Sequence, residues 1–426
     1  MAGTSPGNSL EIRGKLRADR RRESMDGILA GVRVIELAQW IFVPSAAALL
    51  ADLGADVIKI EHPRQGDPAR GLKTQGMGGS IQGPNLAVEQ NNRGKRSVGL
   101  DIKTAEGHAL LMRLVADADI FVTSFRPSAL ERLSLGVDAL REHNPNLIYA
   151  RGHGLGVRGP DANRSSYDMS AFWSRGGIAH SLTLPDADHP VGQRPGFGDH
   201  TSAMSLAFGI TTALFRRERS QEPSVVDASL LGTASWVLSS DVVYSANPDY
   251  DPHALTRGPA ANPLTATYRT KDRRFLALVL LQADRHWEAF CRHIGRADWV
   301  DDPRYADADA RQEHSAALTQ ELETLFATQK LADWNDQLAS LDAPWAPQQS
   351  VRELRADPQT VENQYLVDVQ DSSGDTYQLV SNPCQFDESV PALSPAPECG
   401  AHTEEVLLEL GLDWDEISAL RSDGTL

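Results

Sequence analysis

Residues 31–60 read GVRVIELAQWIFVPSAAALLADLGADVIKI, and the fold is decided there. Gly31 to Leu37 has the β-branched, apolar character of a strand. Pro44 to Leu53 is rich in Ala and Leu, opens with proline in its first turn and closes at Gly54, as a helix does. Asp56 to Ile60 returns as a second strand. A strand, a helix and a strand in such short order make a β-α-β unit.

The pattern recurs downstream. Ser97 to Asp101 is strand-like, Thr104 is placed to cap a helix with the apolar stripe Leu110, Leu111, Leu114 and Val115, and Ile120 to Thr123 is again a strand. A helical stretch near Ser128 to Leu140 leads to the strand Asn146 to Ala150. After a Gly, Pro and Asp-rich loop, Gly152 to Asn163, a long helix is expected over Thr201 to Glu218 and a short strand over Ser224 to Ala228. Alternating units of this kind predict an α/β fold with a doubly wound parallel sheet.

The middle changes character. Thr265 to Thr270 and Arg274 to Leu281 read as a hairpin turning at Lys271-Asp272, followed by helices at Arg285 to Ile294, Ser315 to Thr328 and Ala332 to Ala339. This predicts a smaller α+β domain. Two strands within Leu366 to Val380 and helices at Thr403 to Leu410 and Asp415 to Leu420 form a tail that would return to the first domain. The expected organisation is therefore an extension over 1–27, a large domain over 28–229, a small domain over 230–344, and a linker with the return over 345–426. The charged opening residues read as a disordered extension, a vector remnant or an overcalled start, with Met25 as the natural one.

Composition narrows the function classes. The chain has 426 residues, 41% of them hydrophobic, which suits a two-domain globular protein. Three cysteines, Cys291, Cys384 and Cys399, have no paired or metal-ligand spacing, so a reducing, cytoplasmic setting and no metal are expected. Apolar runs such as Phe275 to Leu281 are too short to span a membrane. A formal charge of −17 opposes binding to nucleic acid or anionic lipid.

Within this acidic chain Arg93, Lys95, Arg96, Lys103, Arg126 and Arg132 gather positive charge around strand ends. Ligands of doubly wound sheets bind there, so the group fits a polyanionic cofactor, against the plainer reading of a solvated surface. The loop after the first strand lacks the glycines of a dinucleotide fingerprint, and no P-loop is found. Trp40, Ile41 and Phe42 in that loop would line a slot for a flat base, or belong to the core. The segment PGFGDHTS over 195–202 sets Asp199 at or near the N-cap of the long helix. Two roles are open to it: a cap without chemistry, or an ionised nucleophile. His200 beside it suggests a hydrolase triad, but adjacent side chains diverge and no G-x-S-x-G elbow exists.

The blocks GVRVIELAQWIFVPSAAALLADLGADVIKIEHPRQGDPAR, NNRGKRSVGLDIK, ADIFVTSFRPSALERLSLG and NPNLIYARGHG, and the stretch Gly400 to Leu407, follow one another as in the family III CoA-transferases (CaiB/BaiF type), which the chain resembles from about Gly31 onward. The resemblance implies a Rossmann-like large domain made from both chain ends, a small middle domain and an interlocked-ring homodimer. It implies coenzyme A or acyl-CoA as substrate and Asp199 as the nucleophile that carries aspartyl-acyl anhydride and aspartyl-CoA thioester intermediates. CoA contacts fall on Trp40, Ile41, Phe42, Leu100, Lys103, Ser124, Phe125 and Arg132, to which the basic group adds Lys95. Tyr167 and Asp168 match a pair beside the reacting carbonyl.

Ile41 stands where the family has glutamine, and Ser124 where it often has asparagine. Gly176-Gly177 is the expected oxyanion donor and Arg257-Gly258-Pro259 the expected closing loop. The runner-up is a 2-methylacyl-CoA racemase, which needs a histidine where this chain has Tyr167; tyrosine, with a pKa near 10, is a poor base at neutral pH. A CoA-binding module without turnover is the third reading.

Overall fold

The structure, a computed structural model, describes residues 27–71, 84–250, 252, 262–371 and 373–426. These residues form two compact units, one drawn from Met1–Ala254 with Asn363–Leu426 and the other from Leu255–Glu362. The extension expected over 1–27, up to residue 26, and the loop Arg257-Gly258-Pro259 lie outside the described residues.

In the first unit β1 (Arg33–Leu37), β2 (Asp56–Glu61), β3 (Arg96–Gly99), β4 (Ile120–Thr123), β5 (Ile148–His153) and β6 (Val225–Ser229) form one sheet in the order β3-β2-β1-β4-β5-β6. Every neighbouring pair is parallel. The strand order reverses between β1 and β4, so the loops leaving these two strands open a crevice at their carboxyl ends.

Both faces of the sheet are covered, and the period of two sorts the side chains. Val34, Val57, Ile120, Val122, Ile148 and Ala150 pack with α1 (Phe42–Asp52), α4 (Phe197–Ser220) and α5 (Leu230–Val237). Ile35, Ile58, Ile60, Phe121 and Tyr149 pack on the other face, against α3 (Ala105–Ala116) and the tail. Thr104 caps α3 as expected, its Oγ1 accepting the Gly107 N–H at 3.0 Å. A Cβ on Gly152 would stand 2.3 Å from Val43 Cγ2, so glycine lets α1 lie directly on the end of β5.

The tail completes the unit. It runs along the open edge of β3, where Thr403 Oγ1 accepts the Gly99 N–H at 2.9 Å and His402 Nδ1 accepts the Ser97 N–H at 3.2 Å. These contacts satisfy edge donors that would otherwise invite another strand. The first unit ends at Ala254 and resumes at Asn363, not at 229 and 345 as expected. The reason at the first break is that Leu230 and Ala234 of α5 are buried in its core.

The second unit is an antiparallel sheet of β7 (Thr265–Arg269), β8 (Phe275–Val279) and β9 (Trp345–Pro347). Helices Ala283–His293, Ser315–Phe326 and Leu331–Leu338 enclose a core rich in aromatic rings, among them Trp287, Phe290, Trp299, Tyr305 and Trp334. Among the described residues no helix is long and apolar enough to cross a membrane.

A fully buried charge cluster lies under the β1 loop. Glu36 and Lys59 are register partners on β1 and β2, with Lys59 Nζ 2.8 Å from Glu36 Oε1 and 2.9 Å from Asp67 Oδ2. Lys95 Nζ lies 2.7 Å from Glu36 Oε2. Burial favours a neutral Glu36, but Lys59 and Lys95 outweigh it and hold the carboxyl below its usual range. Burial, aided by the charge of Lys59, pushes Lys95 down to about 8.

Removing one member leaves buried charge without its counter-ion. Lys59→Met is expected to cost about 3–5 kcal/mol of stability. Lys103→Met, at an exposed position, should stay within about 0.5 kcal/mol. Urea unfolding followed by tryptophan fluorescence measures both.

Candidate active site

The site is built on the first turn of α4. Gly196 precedes the helix with φ 76°, a left-handed conformation that glycine adopts without strain. Asp199 is the third residue of the helix, not its cap. The capping carboxylate comes from elsewhere in the chain: Asp168 Oδ2 accepts the Gly198 N–H at 3.0 Å. Gln193 Nε2 donates to Asp168 Oδ1 at 2.6 Å. A Cβ on Gly198 would stand 2.3 Å from Asp168 Oδ1, so only glycine admits this capping.

With Asp168 serving the helix, the Asp199 carboxyl is left over, and among the described residues no side chain or backbone group donates to it. Burial, and then the charge of Asp168, push Asp199 up to about 7. Burial also raises Asp168, against the opposing pull of Gln193 and of the Gly198 and Asp199 N–H groups. Of the two roles left open for Asp199, the capping one falls to Asp168, because the backbone donors of the first turn bind Asp168.

His200 turns away from Asp199. Its Nε2 meets Asn91 Oδ1 at 3.0 Å. Asn91 Nδ2 donates to Ala87 O at 2.7 Å, which fixes the amide orientation and makes Oδ1 an acceptor for the ring. His200 therefore carries its proton on Nε2, and burial keeps its pKa below the ordinary value. Among the described residues His200 and Asp199 form no hydrogen-bonded pair, so the hydrolase triad does not form around them.

The β1 loop forms the opposite wall. Trp40 has φ 71°, a strained conformation for an aromatic residue, and its N–H donates to Asp67 Oδ1 at 3.1 Å. Asp67 is itself fixed by Lys59, so the buried cluster holds this loop. The Trp40 ring meets Tyr167 edge-on, centroids 5.5 Å apart. The Gln39 N–H donates to Ser124 Oγ at 3.0 Å, tying together the loops after β1 and β4 where the strand order reverses.

Several expected contacts are corrected. Lys95 has no exposed side chain and donates to Pro44 O, Asn91 O and Asn92 Oδ1 besides pairing with Glu36, so it cannot reach a ligand. Arg93 is likewise closed against Asp52, and Arg96 against Asp56, Glu405 and Glu409. Phe42 and Leu100 belong to the two opposite cores, and Ile41 is mostly buried beneath the loop. Lys103 and Arg132 remain exposed, and Phe125 is half-buried beside Ser124. Gly176 is explained by packing: a Cβ there would lie 2.2 Å from Phe172 O and 2.3 Å from Ala234 Cβ. Asp67 and Asn91 were missed by sequence reasoning, since no spacing marks an acid or amide that acts by holding a loop or a ring.

Among the described residues no group of His, Cys, Asp and Glu could hold a metal ion. A cavity of about 310 Å³ in the second unit, lined by Asn262, Gln282 and Arg311 among others, contains none of these residues.

Residues 29–403 match CoA-transferase family III. The chain is 33% identical over 397 residues to an (R)-2-hydroxy-4-methylpentanoate CoA-transferase of Clostridioides difficile, covering 92% of this chain and 97% of the relative. It is 31% identical over 409 residues to a cinnamoyl-CoA:phenyllactate CoA-transferase of Clostridium sporogenes, covering 94% and 98%. The crystal structure of a CaiB/BaiF family protein from Brucella suis superposes with a TM-score of 0.75 at 29% identity, covering 91% of this chain and all (100%) of that one.

The two aspartates separate by their stability effects. A carboxyl raised from 3.8 to about 7 takes up a proton on folding, so its contribution is present at low pH and lost as pH rises through that window. Asp199→Asn should therefore raise the urea midpoint at pH 8, with the gain vanishing below about pH 4. Asp168→Ala should lower stability by about 0.5–2 kcal/mol, as loss of a cap does.

Proposed function

The chain belongs to CoA-transferase family III, and from that premise we propose that it moves coenzyme A from an acyl-CoA donor to a carboxylic acid, with Asp199 as the covalent nucleophile. The observation that carries this reading is the division of labour at α4. One aspartate is consumed by the helix donors and the next is left with a free, half-buried carboxyl. A capping residue would be bonded; a nucleophile must not be.

The steps balance without an external energy source. An oxygen of Asp199 attacks the thioester carbonyl carbon, the C–S bond breaks, and an aspartyl-acyl anhydride and CoA thiolate result. The thiolate attacks the aspartyl carbonyl of the anhydride, releasing the donor acid as carboxylate and leaving an aspartyl-CoA thioester. The acceptor carboxylate then attacks this thioester, and the freed thiolate attacks the acceptor's acyl carbon, restoring Asp199 as carboxylate. No proton is transferred, so the protein's task is to hold the partners in place.

For the cofactor, the tied loops after β1 and β4 give a crevice flanked by Trp40, Ser124 and Phe125, with Lys103 and Arg132 as the exposed cations able to meet phosphate. A homodimer is supported by the outward face of α4 and α5, where Phe208 is 73% and Trp236 78% exposed. The racemase alternative finds little support, since Tyr167 stands where a basic histidine is needed and Asp168 is occupied as a cap.

Incubation with a series of acyl-CoA donors should add the mass of CoA, less water, to the protein, and hydroxylamine should remove it. Asp199→Ala should abolish the adduct while CoA binding persists. Because the attacking carboxyl must be ionised, the rate of adduct formation should rise with pH up to about 7 and level off above it. Tight CoA binding without any adduct would return the protein to the class of CoA-binding modules.

A further inference from the structure

Resting on the transferase reading, we infer that Asn91 is a positioning residue for the nucleophile: through His200 it fixes the first turn of α4 against the wall that carries the β1 loop, and so sets where Asp199 stands. The turn needs an outside hold because its own side chains supply little. Positions 196 and 198 are glycines, and Phe197 is engaged with Phe172 and Trp173, centroids 6.2 Å away in each case. The Thr201 hydroxyl donates back to Phe197 O within the helix at 2.7 Å. His200 reaches across instead, its Nε2 donating to Asn91 Oδ1 at 3.0 Å. Its ring also lies over the helix start, since a Cβ on Gly196 would stand 3.1 Å from His200 Cε1 and 3.3 Å from His200 Nδ1.

Asn91 is suited to be the fixed end of this tie. It lies on the helix Leu86–Asn92 and is 3% exposed. Its Nδ2 donates to Ala87 O at 2.7 Å, and its main-chain O accepts Lys95 Nζ at 2.9 Å, a lysine that Glu36 holds in turn. Oδ1 faces a second donor, the Ser45 hydroxyl of α1, at 2.7 Å. That hydroxyl is equally close to Ile41 O, also at 2.7 Å, and has one proton for the two acceptors. The amide oxygen has two lone pairs, so one is left for His200 in either case. Asn91 thus joins α4, α1 and the buried charges. The consequence falls on the residue between two anchors. The Gly198 N–H is held by Asp168 at 3.0 Å and the His200 ring by Asn91, so Asp199 has a fixed neighbour on each side while its own carboxyl is free of donors. A nucleophile held in this way meets the thioester in one orientation, and a displacement of about 1 Å caused from a remote position lowers the rate about 100-fold.

The test uses the full chain and follows single-turnover formation of the Asp199–CoA adduct by intact mass, with butyryl-CoA, 3-phenylpropanoyl-CoA and succinyl-CoA as donors. With the donor that loads the unsubstituted protein fastest, Asn91→Ala should lower the limiting rate about 10- to 100-fold and leave the half-saturating donor concentration within about threefold. His200→Phe keeps a ring and removes the donor, and should lose the same factor. The double variant should be no slower than either single one, because both break one contact. Losses that multiply in the double variant, or a loss confined to the half-saturating concentration, overturn the inference. So does an unchanged limiting rate in His200→Phe with circular dichroism showing an intact fold, a comparison that stands even if Asn91→Ala does not fold. Failure of every donor to load the unsubstituted protein overturns the transferase reading, and this inference with it.

Discussion

The buried quartet of Glu36, Lys59, Lys95 and Asp67 is the constraint from which the site's geometry follows. Four charges with little access to water are tolerated because they cancel and because the remaining donors of both lysines are met by Ala38 O, Pro44 O, Asn91 O and Asn92 Oδ1. Such a cluster is poor evidence for stability, since apolar side chains of similar volume could replace it. Its value lies in direction. Asp67 can reach the Trp40 N–H only because Lys59 holds its other oxygen, and Trp40 is kept at a φ of 71° that no aromatic residue would choose alone.

A second constraint acts from the other wall, and the two meet. The first turn of α4 presents backbone donors that demand an acceptor, and a side chain at its own N-cap cannot supply one because that residue is Gly196. Asp168 fills the role from the neighbouring segment, which brings Tyr167 with it and sets that ring against Trp40. The helix end thus both frees Asp199 from capping and charges its surroundings, and a carboxyl pushed to about 7 is half ionised near neutrality and more nucleophilic than one at its ordinary value. The cost to the fold thus falls on the residue proposed as the nucleophile.

The architecture was legible where periodicity is strong. The β-α-β unit of residues 31–60, the cap at Thr104, the hairpin of β7 and β8 and the long helix before β6 are visible because each rests on a local rule. The strand β9 was not, being three residues long with a proline and defined only by its partner β8. That Asp199 lies at the start of a long helix was legible, but the sequence cannot show that Asp168, thirty-one places earlier, would take the helix donors and leave Asp199 without them. The basic group failed for a related reason. Arg93, Lys95 and Arg96 look like a phosphate site in one dimension, whereas in three each has acids from distant segments, Asp52, Glu36 and Asp56, within ion-pair distance.

That failure also redistributes the work of binding. With three of six cations committed to the fold, the exposed ones include Lys103, in the loop after β3, and Arg132, at the end of the helix Pro127–Arg132, and the proposed CoA phosphate region would depend on such side chains. Exposed cations contribute attraction that salt screens, while the fixed contacts of the site are the aromatic and backbone ones near Trp40, Ser124 and Tyr167. On the proposed transferase reading, affinity for the nucleotide end and positioning of the thioester end are therefore separable. On that reading the former would rest on exposed charge, and the latter on a loop whose conformation is set by ions buried from solvent.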